Sequence, residues 1–194
     1  DATLEEDLIS VGVAGRSVRV VAVRYDPYFD RAGLYQGPDG DFSDNLARFA
    51  LFSRAIVEVL AFLGSGRGEP ISVLHLHDWQ TALAAVYLKT TERDRAIVGD
   101  VRTLLTLHNV GYQGIFPGPQ FSETGLPPDL FTPAGLEFYG SVNLLKGGIL
   151  FADKVSTVSP TYAKEIMSPD GGFGLEGVLA GRRDGVVGVI NGID

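Results

Sequence analysis

Ile71-Ser72-Val73-Leu74-His75-Leu76 is a run of branched and leucine side chains that stops abruptly in His77-Asp78-Trp79-Gln80. The run reads as a β-strand, and its polar end as a strand tip that passes directly into a helix. The same design recurs at Leu104-Leu105-Thr106-Leu107, ending in His108-Asn109, and at Val186-Val187-Gly188-Val189-Ile190, ending in Asn191-Gly192-Ile193-Asp194. Open parallel sheets bind ligands in the crevice beyond the carboxyl ends of their strands. Three polar endings on one chain therefore predict one wall built from several strand tips. Such a wall suits a hydroxylated ligand, a sugar or a nucleotide.

Working outward, Val18-Arg19-Val20-Val21-Ala22-Val23 reads as an earlier strand, followed by a long loop over 26–41 rich in Pro, Gly, Asp and aromatics. Ser43 or Asp44 caps a helix with apolar positions at Leu46, Phe49, Ala50, Ile56, Val57 and Leu60, and the glycines at 64–68 end it. A helix over 79–89 follows the first strand tip, with Asp78 as its expected N-cap. A second long loop covers 111–133, then a helix 144–151 and a strand 154–158. Ser159 and Pro160 open the next helix as N-cap and first helical residue, and a short helix covers 174–179. Strands alternating with helices give βαβ units, so the fold class is α/β, a parallel sheet with helices on both faces. The whole chain, 1–194, reads as one domain.

Composition narrows the function. Hydrophobic residues make up 45% and charged residues 21% of 194, which is globular composition. With 16 Lys plus Arg against 24 Asp plus Glu the net charge is -8, which argues against nucleic acid or an anionic membrane as partner. The absence of cysteine excludes disulfides, thiolate zinc sites and a cysteine nucleophile, and fits a reducing compartment. No apolar run approaches the roughly 20 residues of a membrane span, and the acidic start lacks the basic region of a signal peptide.

Several strand-tip residues carry competing readings. His75 and His77 lie two apart and point the same way, and with Asp78 they outline part of a metal cluster. The chain has only three histidines and lacks the further ligand, so no metal is expected and His75 is read as a buried core histidine. Trp79, the only Trp, is either ordinary packing or an aromatic platform for a sugar. His108, followed by Asn109 and a glycine-rich loop, is read as a ligand contact, a donor to a hydroxyl or a phosphate oxygen. Lys146-Gly147-Gly148 lacks the spacing of a phosphate loop. Gly171-Gly172-Phe173-Gly174-Leu175-Glu176-Gly177 is either a phosphate cradle or a plain turn. No G-x-S-x-G elbow is present, against a serine hydrolase.

Taken in order, Tyr28-Phe29-Asp30-Arg31, Leu34-Tyr35, Asp44-Asn45-Leu46-Ala47-Arg48-Phe49-Ala50, His75-Leu76-His77-Asp78-Trp79-Gln80 and Thr106-Leu107-His108-Asn109-Val110-Gly111-Tyr112-Gln113-Gly114 resemble the starch synthase and bacterial glycogen synthase family. Leu136-Glu137-Phe138-Tyr139-Gly140, Asn143-Leu144-Leu145-Lys146-Gly147-Gly148, Val158-Ser159-Pro160-Thr161-Tyr162-Ala163-Lys164, Phe173-Gly174-Leu175-Glu176-Gly177 and Asn191-Gly192-Ile193-Asp194 extend the likeness over nearly the whole chain. The resemblance implies the Rossmann-like N-terminal half of a two-domain GT-B glycosyltransferase. It implies transfer of glucose from ADP-glucose to an α-1,4-glucan with retention of configuration, in the cytoplasm or a plant plastid, without a cofactor.

Carried over by position, His108 and Asp78 take the catalytic places, and Trp79, Asn109, Asn191 and Tyr35 line the substrates. The family's Lys-Thr-Gly-Gly-Leu loop has no counterpart here. The C-terminal domain, which carries the cations that stabilise the leaving diphosphate, is absent too. The resemblance therefore implies a domain incomplete at its N-terminus, inactive alone, with an edge or face of the sheet left exposed. A non-catalytic glucan-binding domain and a synthase using UDP-glucose remain the alternatives.

Overall fold

The structure, a computed structural model, describes residues 2–11, 16–64, 71–91, 94, 96 and 98–192. The helix stop read at 64–68 lies outside the described residues after Gly64, as does the chain end after Gly192. Two compact units form, residues 1–48 and 49–194.

In the first unit, β1 (Thr3–Val11) pairs antiparallel with β2 (Arg16–Arg24), Thr3 opposite Arg24 and Val11 opposite Arg16. The strand read at 18–23 is present, but it belongs to this hairpin and not to the parallel sheet. Its partner is hidden in the sequence because Glu5-Glu6-Asp7 are poor strand formers. The region 26–41 contains α1 (Asp26–Phe29) and a minimal hairpin of β3 (Gln36–Gly37) and β4 (Gly40–Asp41). The first turn of α2 (Asn45–Gly64) staples this segment. Buried Arg48 donates to the carbonyls of Tyr28 at 2.8 Å and Leu34 at 3.0 Å, and Asn45 donates to that of Tyr35 at 2.8 Å. Arg31 grips both carboxylate oxygens of Asp44, at 2.8 and 2.7 Å.

The second unit is organised on β5 (Val73–His77), α3 (Asp78–Thr90) and β6 (Arg102–Leu107). Within the region read as a second long loop lie β7 (Ile115–Pro117) and two 3-10 turns; β8 (Glu137–Phe138) and β9 (Ser141–Asn143) complete a small antiparallel sheet with β7. Then come α4 (Leu144–Phe151), β10 (Lys154–Thr157), α5 (Pro160–Glu165), α6 (Glu176–Ala180) and β11 (Val187–Gly188). Ser159 caps α5 as expected, accepting the Tyr162 N–H at 3.0 Å. The main sheet has the order β5-β6-β10-β11 and every pair is parallel.

Each crossover steps the same way across this sheet, and crossovers of this kind are right-handed. Hence α3 and α4 share one face. They pack against each other and the sheet through glycines: a Cβ on Gly148 would lie 2.7 Å from the Cβ of Ala82 and 2.9 Å from a methyl of Leu105. Lys146-Gly147-Gly148 is thus a close-packing motif and holds no phosphate. Lys146 is itself buried, donating to the carbonyls of Pro133 at 2.7 Å and Glu137 at 2.5 Å. Under these helices Leu76, Leu105, Leu107 and Val155 are at most 1% exposed, each worth about 1.5–3 kcal/mol of burial. On the opposite face Val73, His75, His77 and Val187 are exposed while Thr106 and Ser156 between them are buried, and β5 is an edge strand among the described residues.

Candidate functional site

Because β5 and β6 run parallel with His77 level with Thr106, the residues just past the two tips emerge side by side. Asp78 Oδ1 accepts the backbone N–H of His108 at 2.8 Å. His77 Nδ1 and His108 Nε2 share a hydrogen bond at 3.0 Å. One of the two nitrogens supplies the proton and the other the lone pair. The bond engages Nε2 of His108 and leaves Nδ1 for a ligand.

The His77 ring is flanked by His75 at 4.2 Å and His108 at 5.2 Å between centroids. Partial loss of hydration, and then the two neighbouring imidazoles, hold its pKa below the ordinary histidine value. This favours the uncharged form of His77, which can donate to or accept from a second imidazole.

Asp78 does not cap α3. Its side chain is turned to the His108 amide, and the helix entry carries no side-chain cap. Thr81 Oγ1 instead accepts the His77 N–H at 2.8 Å and donates to the His77 carbonyl at 2.9 Å. Reaching His108 puts Asp78 at φ +54, the left-handed region, at a cost of about 1–2 kcal/mol for a residue with a Cβ. Strain of this kind persists where the surroundings over-determine it, often at ligand sites.

His75 is not a core histidine. Strand alternation puts it on the open face with Val73 and His77, where it is exposed. Its Nε2 lies 2.7 Å from Thr106 Oγ1, which in turn lies 2.7 Å from Ser156 Oγ.

Trp79 is 8% exposed. Its ring meets Phe49 edge-on at 4.6 Å and Phe116 at 6.0 Å. Gly114, at φ +62, lies so close that a Cβ there would come within 2.5 Å of the indole. Packing occupies the ring.

Asn109 is exposed, its Oδ1 accepting the Gly111 N–H at 2.9 Å, which leaves the amide nitrogen as its remaining donor. Asn191 is exposed beyond the tip of β11, at the same carboxyl end of the sheet. Among the described residues it makes no hydrogen bond to Asp78, His108 or Asn109. Tyr35 belongs to the first unit, where its carbonyl serves Asn45.

The structure thus brings together Asp78 and His108, with Asn109 next in the chain, and adds His77, which the sequence offered only as a metal ligand. The signal for that pairing is the equivalence of the two strand tips, which becomes contact only once their register is known. The glycines at 171–177 form a turn, and Glu176 at the first position of α6 opposes an anion there. Among the described residues no group of three His, Asp or Glu is arranged to hold a metal, and no helix is long and apolar enough to cross a membrane.

A parallel α/β sheet with imidazole, carboxylate and carboxamide groups gathered at its strand tips defines a Rossmann-like domain equipped to bind a polar ligand there. The chain belongs to the starch synthase catalytic domain family, which matches residues 4–181. It is 48% identical over 172 residues to the glycogen synthase of Thermodesulfovibrio yellowstonii, covering 89% of this chain and 34% of that protein. Against the glycogen synthase of Paracoccus denitrificans it is 51% identical over 168 residues, 86% of this chain and 34% of that protein. Among solved structures it is similar to the catalytic domain of starch synthase IV from Arabidopsis thaliana bound to ADP and acarbose. That match has a TM-score of 0.76 and 32% identity, over 94% of this chain and 36% of that one. The chain spans about a third of the length of the curated relatives it matches.

Proposed function

We propose that the chain is the amino-terminal, Rossmann-like part of a two-domain glucosyltransferase. In this reading the enzyme moves glucose from ADP-glucose to the non-reducing end of an α-1,4-glucan with retention, as a glycogen or starch synthase. The observation that carries the reading is the His77–His108–Asp78 arrangement, which presents Nδ1 of His108 at the tip of β6 with its backbone pinned by Asp78. Kinship with glycogen synthases and with a starch synthase bound to ADP supports it.

In this reading His108 Nδ1, the amide nitrogen of Asn109 and the outer oxygen of Asp78 hydrogen-bond the sugar while the diphosphate departs. Fixed groups aimed at the reacting sugar stabilise developing charge without reorganising. Positive charge for the diphosphate comes from the carboxyl-terminal domain of the longer polypeptide. Asn191 extends the substrate lining, and Trp79 supports the site by packing against Phe49 and Phe116. No cofactor is needed. The compartment is the cytosol, or the plastid in a plant.

The test is incorporation of labelled glucose into glycogen by the full-length polypeptide, with ADP-glucose and UDP-glucose compared. Faster incorporation from ADP-glucose supports the proposal, and preference for UDP-glucose reassigns the donor. Glucan binding without incorporation from either makes the protein a binding module.

A further inference from the structure

We infer that Phe173 and Tyr139 form a rigid aromatic ridge that binds the acceptor glucan, leading away from the His108 tip. This rests on the glucosyltransferase reading and adds a subsite to it. Apart from Asp78, Phe173 and Tyr139 are the non-glycine residues with left-handed backbones among the described residues, both at φ +49. Each is an aromatic followed by a glycine that is also left-handed, Gly174 at +85 and Gly140 at +79.

A strained backbone persists only where its surroundings over-determine it. Here the rings stand out at 60% exposed for Phe173 and 86% for Tyr139. Folding gains little from placing them so, and a glycine would fit either position with less strain.

The two turns are held firmly. Gln113, itself buried, donates through Nε2 to the carbonyls of Val110 and Phe173, each at 3.0 Å. Its Oε1 accepts from the fully buried Asn143 at 2.6 Å. The Phe173 turn is thereby locked to the loop that leaves His108. Glu137 Oε1 accepts the Gly140 N–H at 2.7 Å and closes the turn that carries Tyr139.

The rings are continuous with the strand-tip site. A Cβ on Gly111, two residues after Asn109, would touch Phe173 at 3.8 Å, and one on Gly174 would touch Tyr139 at 3.8 Å. Phe138 backs Tyr139 edge-on at 4.7 Å. Exposed rings on turns fixed before binding, beside groups that hydrogen-bond hydroxyls, suit the C–H faces of successive glucose units. An anionic ligand would gain little from them.

The test uses the full-length polypeptide with maltoheptaose as probe, binding measured by calorimetry without nucleotide. Phe173→Asn and Tyr139→Asn remove the rings while keeping a residue that tolerates the left-handed backbone. Each is expected to weaken maltoheptaose binding about 3- to 10-fold, with the melting temperature unchanged or raised and the KM for the nucleotide sugar within about twofold. Phe173→Tyr is expected to retain affinity. Unchanged affinity in both Asn variants overturns the ridge. So does wild-type protein in which maltoheptaose leaves the ring-proton resonances of Phe173 and Tyr139 unshifted, a measurement that needs no variant to fold. Ring-dependent binding in a polypeptide that transfers no glucose keeps the ridge and removes the synthase reading. Full transfer with binding indifferent to the rings does the reverse.

Discussion

The two faces of the parallel sheet are made from the same strands yet do different things. The face under α3 and α4 carries Leu76, Leu105, Leu107 and Val155, nearly sealed from water, and glycines let the helices approach until Ala82, Gly148 and Leu105 touch. The other face carries Val73, His75, His77, Thr106 and Ser156, where hydroxyls and imidazoles form a ladder across three strands. Alternation along each strand assigns residues to one face or the other, so a single strand contributes to both stability and chemistry. The packed face fixes how far each tip projects; the open face ends in the His77–His108 pair. The site's geometry is inherited from packing on the side of the sheet away from it.

The harshest way to break this comparison is to overfill the packed face. Gly148→Val places new methyl groups against Ala82 and Leu105, and we expect a loss of about 3 kcal/mol in denaturant unfolding. On the open face, Thr106→Val removes the shared partner of His75 and Ser156, with an expected cost of about 1–2 kcal/mol.

Acidification probes the His77–His108 end of this face without mutation. Because the folded pKa of His77 lies below its ordinary 6.5, the unfolded chain takes up the proton first as pH falls. Stability is expected to fall from about that ordinary value down to the lower folded value and then to level off. Above that window His77 contributes no pH dependence, and His77→Gln is expected to flatten the stability profile within it. The smallest effect is expected at Val73→Thr, exposed at 55%, within about 0.5 kcal/mol of wild type. A loss there comparable to Gly148→Val would erase the distinction between the faces. The open edge also predicts that residues 1–194 alone self-associate; a monodisperse, cooperatively melting sample in sedimentation and thermal unfolding would contradict that.

The parallel strands and the helices between them were legible because hydrophobic runs, caps and turn residues agree locally, as at Ser159-Pro160 and at 144–151. The amino-terminal hairpin was legible only in its second strand, since the first carries Glu5-Glu6-Asp7, poor strand formers that pairing with β2 overrides. His75 was misread for a related reason: a run of apolar neighbours suggests a core strand, but which face is covered depends on where the other elements go. The pairing of His77 with His108 is a matter of register between strands about thirty residues apart. Phe173 and Tyr139 did leave a signal, an aromatic directly before a loop glycine. That dipeptide is common enough to pass unnoticed until the left-handed backbone is seen.

The most direct measurement is glucose transfer from ADP-glucose to glycogen by the full-length polypeptide, wild type against His108→Ala, with melting temperatures in parallel. The account predicts that kcat falls by about 10²–10³-fold in a variant that melts like the wild type. Transfer at near wild-type rate in that variant would show that the imidazole at the tip of β6 is not part of the reaction.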